Sequence, residues 1–123
     1  MNEISPKLQN QIAQFQQLQQ QLQSVLNQKF RMEAQLREVQ ITIDELNKSD
    51  EDVIIYKNVG SLLIKANDKA SILKDVEDDK ETLEVRVKTL DRQEKALREK
   101  YNTMQEQLSK AFGQSGTTQS EEN

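Results

Sequence analysis

The side chains with the most chemical potential in this sequence are carboxylates. Asp50-Glu51-Asp52 and Asp78-Asp79 stand as neighbouring acids, the raw material of a divalent-cation site or of acid/base catalysis. Nothing of complementary chemistry accompanies them. The chain contains no Cys and no His, so it has no thiol nucleophile, no imidazole base and no nitrogen or sulfur metal ligand. Gly60 stands alone, with no Lys-Ser/Thr after it, and no loop of the phosphate-cradling kind is present. The acids therefore read as solvated charges at helix surfaces and ends, and the sequence predicts no enzyme, no cofactor and no metal site.

Charge and composition narrow the classes further. The chain carries 17 Lys+Arg against 21 Asp+Glu, a net charge of −4, with no basic cluster to neutralise phosphates, which argues against a nucleic-acid partner. No uncharged apolar run approaches the roughly 20 residues of a membrane span, and the first residues lack the basic and apolar regions of a signal peptide. A cytoplasmic chain without a membrane partner is the expectation. Only 34% of the 123 residues are hydrophobic and 4% aromatic, too few for a conventional globule with a buried pocket. Near-balanced charge with one Pro and three Gly is equally unlike a disordered tail. Long helices burying a narrow stripe satisfy both limits.

Such helices are written in the spacing. Alternate steps of three and four from Leu8 visit Gln11, Phe15, Leu18, Leu22, Val25, Lys29, Met32, Leu36, Val39, Ile43 and Leu46, ten of the twelve positions being apolar. The same walk from Leu73 passes Val76, Lys80, Leu83, Val87, Leu90, Glu94, Leu97, Tyr101, Met104 and Leu108 to Ala111, again with ten of twelve apolar. A period of 3.5 residues keeps one seam facing a partner helix, the mark of a coiled coil. Ser5 before Pro6 supplies a start for the first helix, Asp68 one for the second, and Gly113 a C-cap. The predicted helices cover about 6–47 and about 69–112, similar lengths that suit an antiparallel hairpin in which facing positions add to 119, to within a heptad. Residues 113–123 contain nothing apolar and read as a disordered tail.

Between the helices, about 53–66, the texture changes. Val53, Ile54, Ile55 and Tyr56 precede a turn at Gly60, and Leu62, Leu63 and Ile64 follow it, which predicts a β-hairpin. Neither run alternates with polar residues, so both faces of the hairpin need cover that one chain does not provide. This segment is the expected place of oligomerisation, through a sheet or barrel shared between chains.

At the other end, no charged residue occurs from Leu8 to Gln28, although 31% of the chain is charged. In an antiparallel hairpin this stretch lies beside the chain ends, at a tip carrying Ile4, Leu8, Ile12, Phe15, Leu108 and Phe112. Those are more apolar groups than the seam requires; Ile12 and Phe112 flank it, with Met1 and Met104 near. Exposed apolar groups among uncharged amides can bind apolar segments of many sequences without imposing charge rules. Leu26 and Phe30, also off the seam, are expected to widen the core stripe or touch a neighbouring subunit.

Three blocks in this order, QIAQFQQLQQQLQ from Gln11 to Gln23, Tyr56-Lys57 with Gly60 and Leu62-Leu63-Ile64, and LEVRVKTLDRQEKALREKYNTMQEQL from Leu83 to Leu108, resemble the β subunit of archaeal prefoldin. The resemblance covers about Ile12 to Leu108. It implies a mainly α fold over 1–112, a long coiled-coil hairpin with one β-hairpin between its helices, assembling into an oligomeric β-barrel body. It further implies an ATP-independent chaperone, a hexamer of two α and four β subunits. The coiled-coil tips of such a hexamer hold unfolded client proteins and pass them to a group II chaperonin. The alternative reading is a structural coiled-coil scaffold or filament former.

Overall fold

The structure, a computed structural model, describes residues 4–66 and 68–122, with side chains as far as Gly113. Helix α1 spans Pro6–Lys48, strands β1 and β2 span Tyr56–Val59 and Leu62–Lys65, and helix α2 spans Lys69–Glu122.

Side-chain chemistry sets the ends of α1. The Leu8 amide donates to Ser5 Oγ at 3.1 Å and the Gln9 amide to the Ser5 carbonyl at 2.9 Å, while Pro6, which has no N–H to leave unpaired, takes the first helical position. At the far end Ser49 donates its hydroxyl to the Leu46 carbonyl at 2.7 Å, and Lys69 Nζ donates to the Ser49 carbonyl at 2.8 Å. A cation there complements the negative end of the helix dipole. Lys69 is also the first residue of α2, whose opening bond runs from the Ile72 amide to the Asp68 carbonyl at 3.2 Å.

Both heptad stripes face inward along their whole length: all twelve positions of each walk are buried or half-buried. Leu18, Ile43, Leu46, Leu83, Leu90 and Leu108 are the deepest, and each belongs to a stripe. The charged stripe residues have partners one turn away on their own helices. Lys29 approaches Glu33 at 3.9 Å, Lys80 approaches Glu84 at 3.8 Å, and Glu94 accepts from Arg98 Nε at 2.7 Å.

The chain forms two compact units, one of Met1–Gln28 with Leu90–Asn123 and one of Lys29–Thr89. In the first, the chain-end unit, α1 and α2 run antiparallel: Leu8 and Ala111 line one groove, Val25 and Leu97 another, and the rings of Phe15 and Tyr101 meet at 4.8 Å between centroids, tilted by 31°. Facing positions therefore add to about 119, without the slip of a heptad.

In the second, the hairpin unit, β1 and β2 pair antiparallel from Tyr56↔Lys65 to Val59↔Leu62, which leaves Gly60-Ser61 as a two-residue turn. Gly60 has φ +61° and Ser61 has no positive φ, the requirement of a type II′ turn with glycine first. Each strand is four residues long, shorter than the expected 53–66. Val53 to Ile55 precede β1; the Val53 amide donates to the Asp50 carbonyl at 3.1 Å, and the Ile55 carbonyl accepts from Ala66 at 2.8 Å, one rung beyond the strands.

One boundary differs from expectation. The helix expected to end near 112, with a disordered tail from 113, continues through Gly113 to Glu122. Gly113 has no left-handed φ and so does not cap it. An internal glycine costs a helix about 1 kcal/mol relative to alanine, a penalty that weakens a turn without terminating it. Asn123, like Met1, lies outside the described residues.

Candidate functional site

Two surfaces carry apolar groups that a finished core would hide. On the hairpin nearly every side chain is exposed: Leu63 is 69% accessible, Ile54, Tyr56 and Leu62 61% each, and Val53, Val59 and Ile64 are also exposed, with Ile55 and Ala66 half-buried. Both faces are bare, and each strand presents one unpaired edge of amides and carbonyls.

The chain-end unit is built differently. The seam runs beneath, with Leu108 buried and Phe15, Tyr101 and Met104 half-buried. Over it, Ile12, Phe15 and Gln16 of α1 and Gln105, Leu108 and Phe112 of α2 border a groove that contains no Asp, Glu, Lys or Arg. Phe112 stands 49% exposed at its rim. Aliphatic and aromatic groups form the floor and primary amides the walls, so the groove can take an apolar side chain and hydrogen-bond a backbone beside it.

The six residues expected at the tip all belong to this unit but not to one site. Ile12, Phe15, Leu108 and Phe112 share the groove. Leu8 lines a different one with Lys7, Gln107 and Lys110, and the exposed Ile4 gives its carbonyl to Gln9 Nε2 at 3.2 Å. Tyr101, read from the sequence as a seam residue only, also lines the groove; its place one layer from Phe15 was the available signal. Phe30 is 71% exposed and does not widen the core, because it points away from the stripe on which Lys29 and Met32 lie; Leu26 is half-buried. Among the described residues no group of three or more acids converges into a metal site, and no helix is long and apolar enough to cross a membrane.

Known proteins share this architecture. The family model described as "Prefoldin subunit" matches residues 9–115. The prefoldin subunit beta of Archaeoglobus fulgidus is 45% identical over 88% of this chain and 92% of its own length, and that of Methanothrix thermoacetophila is 41% identical over 91% and 92%. The crystal structure of the prefoldin beta subunit from Thermococcus strain KS-1 superposes with a TM-score of 0.80 at 37% identity, covering 90% of this chain and 96% of that one. With two long helices, a hairpin between them and a family match that runs through all three, the chain belongs to the prefoldin subunit family.

Proposed function

We propose that this chain, a prefoldin chaperone subunit, captures unfolded polypeptides in the chain-end unit without ATP and delivers them to a group II chaperonin. It is one component of a hetero-oligomer with prefoldin α subunits, and the stoichiometry we propose is two α to four β. The hairpins carry the assembly: Tyr56, Leu62, Leu63 and Ile64, with Val53 to Ile55 before them, are covered when strands of neighbouring subunits add to the free edges and close a barrel. Burial there is worth about 25 cal/mol per Å² of apolar surface. The complex works in the cytoplasm, with no catalytic step, no cofactor and no nucleic-acid partner.

The capture step rests on one observation. Phe112 and Ile12 stand at a groove whose lining is uncharged, so it accepts apolar segments irrespective of the charges that flank them. A holdase must bind many sequences weakly, and a floor of mixed aliphatic and aromatic groups with rotatable amide walls satisfies that need. The reading is tested by diluting a denatured protein into the assembled complex without nucleotide and following light scattering. Suppression of scattering at stoichiometric complex, unaltered by ATP, is expected. Aggregation at the rate of the client alone would contradict it.

A further inference from the structure

On one flank of the chain-end seam two grooves join into one. Ile12, Gln16, Gln19, Gln23 and Leu26 follow one another along α1 by steps of four and three; Arg98, Asn102, Gln105, Ser109 and Phe112 do the same along α2. Gln19 and Tyr101 line both grooves, which makes them continuous. On the opposite flank the groove at Leu8 and Lys110 and the groove at Val25 and Ala96 have no residue in common.

From Ile12 to Leu26 the continuous groove runs roughly 21 Å at 1.5 Å per helical residue, the span of about six residues of extended chain at 3.4 Å each. Its charge matches that occupant. The α1 wall falls inside the charge-free run Leu8–Gln28, and the one charged residue on the α2 wall, Arg98, is held by Glu94 at 2.7 Å. A wall this free of charge leaves an uncharged segment no ionic group to desolvate, whereas a charged one would lose its water without gaining a partner.

We propose that this flank is a one-sided track for a single extended, uncharged client segment of about six residues bearing bulky apolar side chains. The inference rests on the holdase reading above and adds to it a side, a length and a chemistry. Ile12, Leu22, Leu26 and the Phe15–Tyr101 ring pair receive the side chains. The amides of Gln19, Gln23 and Gln105 both donate and accept, so they serve a client backbone running in either direction. The track also gives the charge-free stretch Leu8–Gln28 of the first helix a purpose that a coiled coil alone does not require.

The test uses the assembled complex of full-length chains and fluorophore-labelled peptides of Leu, Phe and Ser, three to nine residues long. Lys for Gln is almost neutral to helix propensity, so single exposed substitutions leave the fold in place, which circular dichroism verifies. Gln19→Lys and Gln105→Lys are expected to weaken peptide binding about tenfold, and Gln21→Lys and Gln107→Lys on the other flank to leave it unchanged. Affinity is expected to rise with peptide length to about six residues and then level off. Equal losses on both flanks overturn the track while leaving the holdase reading intact. So does loss only in an Ile12→Ser/Phe112→Ser variant, which would confine capture to the end of the groove. Full binding by all of these variants overturns the holdase reading as well.

Discussion

The hairpin unit and the chain-end unit both expose apolar side chains, and they do so for opposite reasons. In the hairpin the exposure is general: two four-residue strands, bare on both faces, with a free backbone edge on each. Such a surface is stable only when covered by something that supplies matching strands, which makes its partner permanent and specific. In the chain-end unit exposure is partial. A packed seam lies beneath, and above it a groove shows Ile12, Phe15 and Tyr101 half-buried already, with Phe112 exposed at its rim, framed by amides in place of unpaired backbone. That surface is stable in water and can stand empty, as a surface that binds and releases must. On the function proposed above, the difference separates assembly from capture within one short chain.

Separation of this kind can be broken at either end. The largest effect belongs to Leu63→Lys. Leu63 is exposed in the single chain, so the substitution costs the chain itself little, yet in an assembled barrel it places an unpaired charge in the interior at a cost of several kcal/mol. Sedimentation is expected to show dissociated subunits whose circular dichroism keeps the full helical signal. An intact assembly would show that the hairpin is not what joins the subunits.

Within the seam, Leu18→Ala is expected to cost about 2 to 5 kcal/mol in denaturant unfolding, since Leu18 is only 5% exposed and its loss leaves a cavity. Leu22→Ala, at a half-buried position opening on the groove, should cost less. Equal losses at the two sites would mean that the groove is packed as tightly as the core. A smaller effect is expected of Gly60→Ala. No atom lies within 4 Å of where its Cβ would stand, so the penalty, about 1 to 2 kcal/mol, comes from φ +61° alone. It should weaken subunit association, read as a higher dissociation concentration, and leave the unfolding of the coiled coil unchanged.

Much of the fold was legible in the residues because each element states itself locally. A 3.5-residue period, Ser5-Pro6 at a helix start and a lone Gly60 between two apolar runs need no distant information. The stripe was readable even through its polar positions, since Lys29, Lys80 and Glu94 stay on the seam with the help of neighbours one turn away. The end of α2 was not legible, because Gly113 can cap or continue a helix and only its backbone angle decides. Val53–Ile55 looked like strand by composition, but the strands are limited by pairing, which composition does not report. The candidate groove was half legible. Its apolar members stood out as excess over the seam and the amides of α1 as a charge-free run, whereas Tyr101 and the α2 amide of Gln105 became visible only once the register placed α1 beside α2.

The central claim, that capture resides in the chain-end unit and assembly in the hairpin, is tested most directly by one double variant. Ile12→Ser/Phe112→Ser removes groove side chains without touching the heptad stripes, and the assembled complex is examined by native mass and by protection of a denatured client in the same preparation. The account predicts an unchanged mass and helical signal with protection lost. Protection equal to that of the unsubstituted complex, in an assembly of the same mass, would contradict it and place client capture elsewhere.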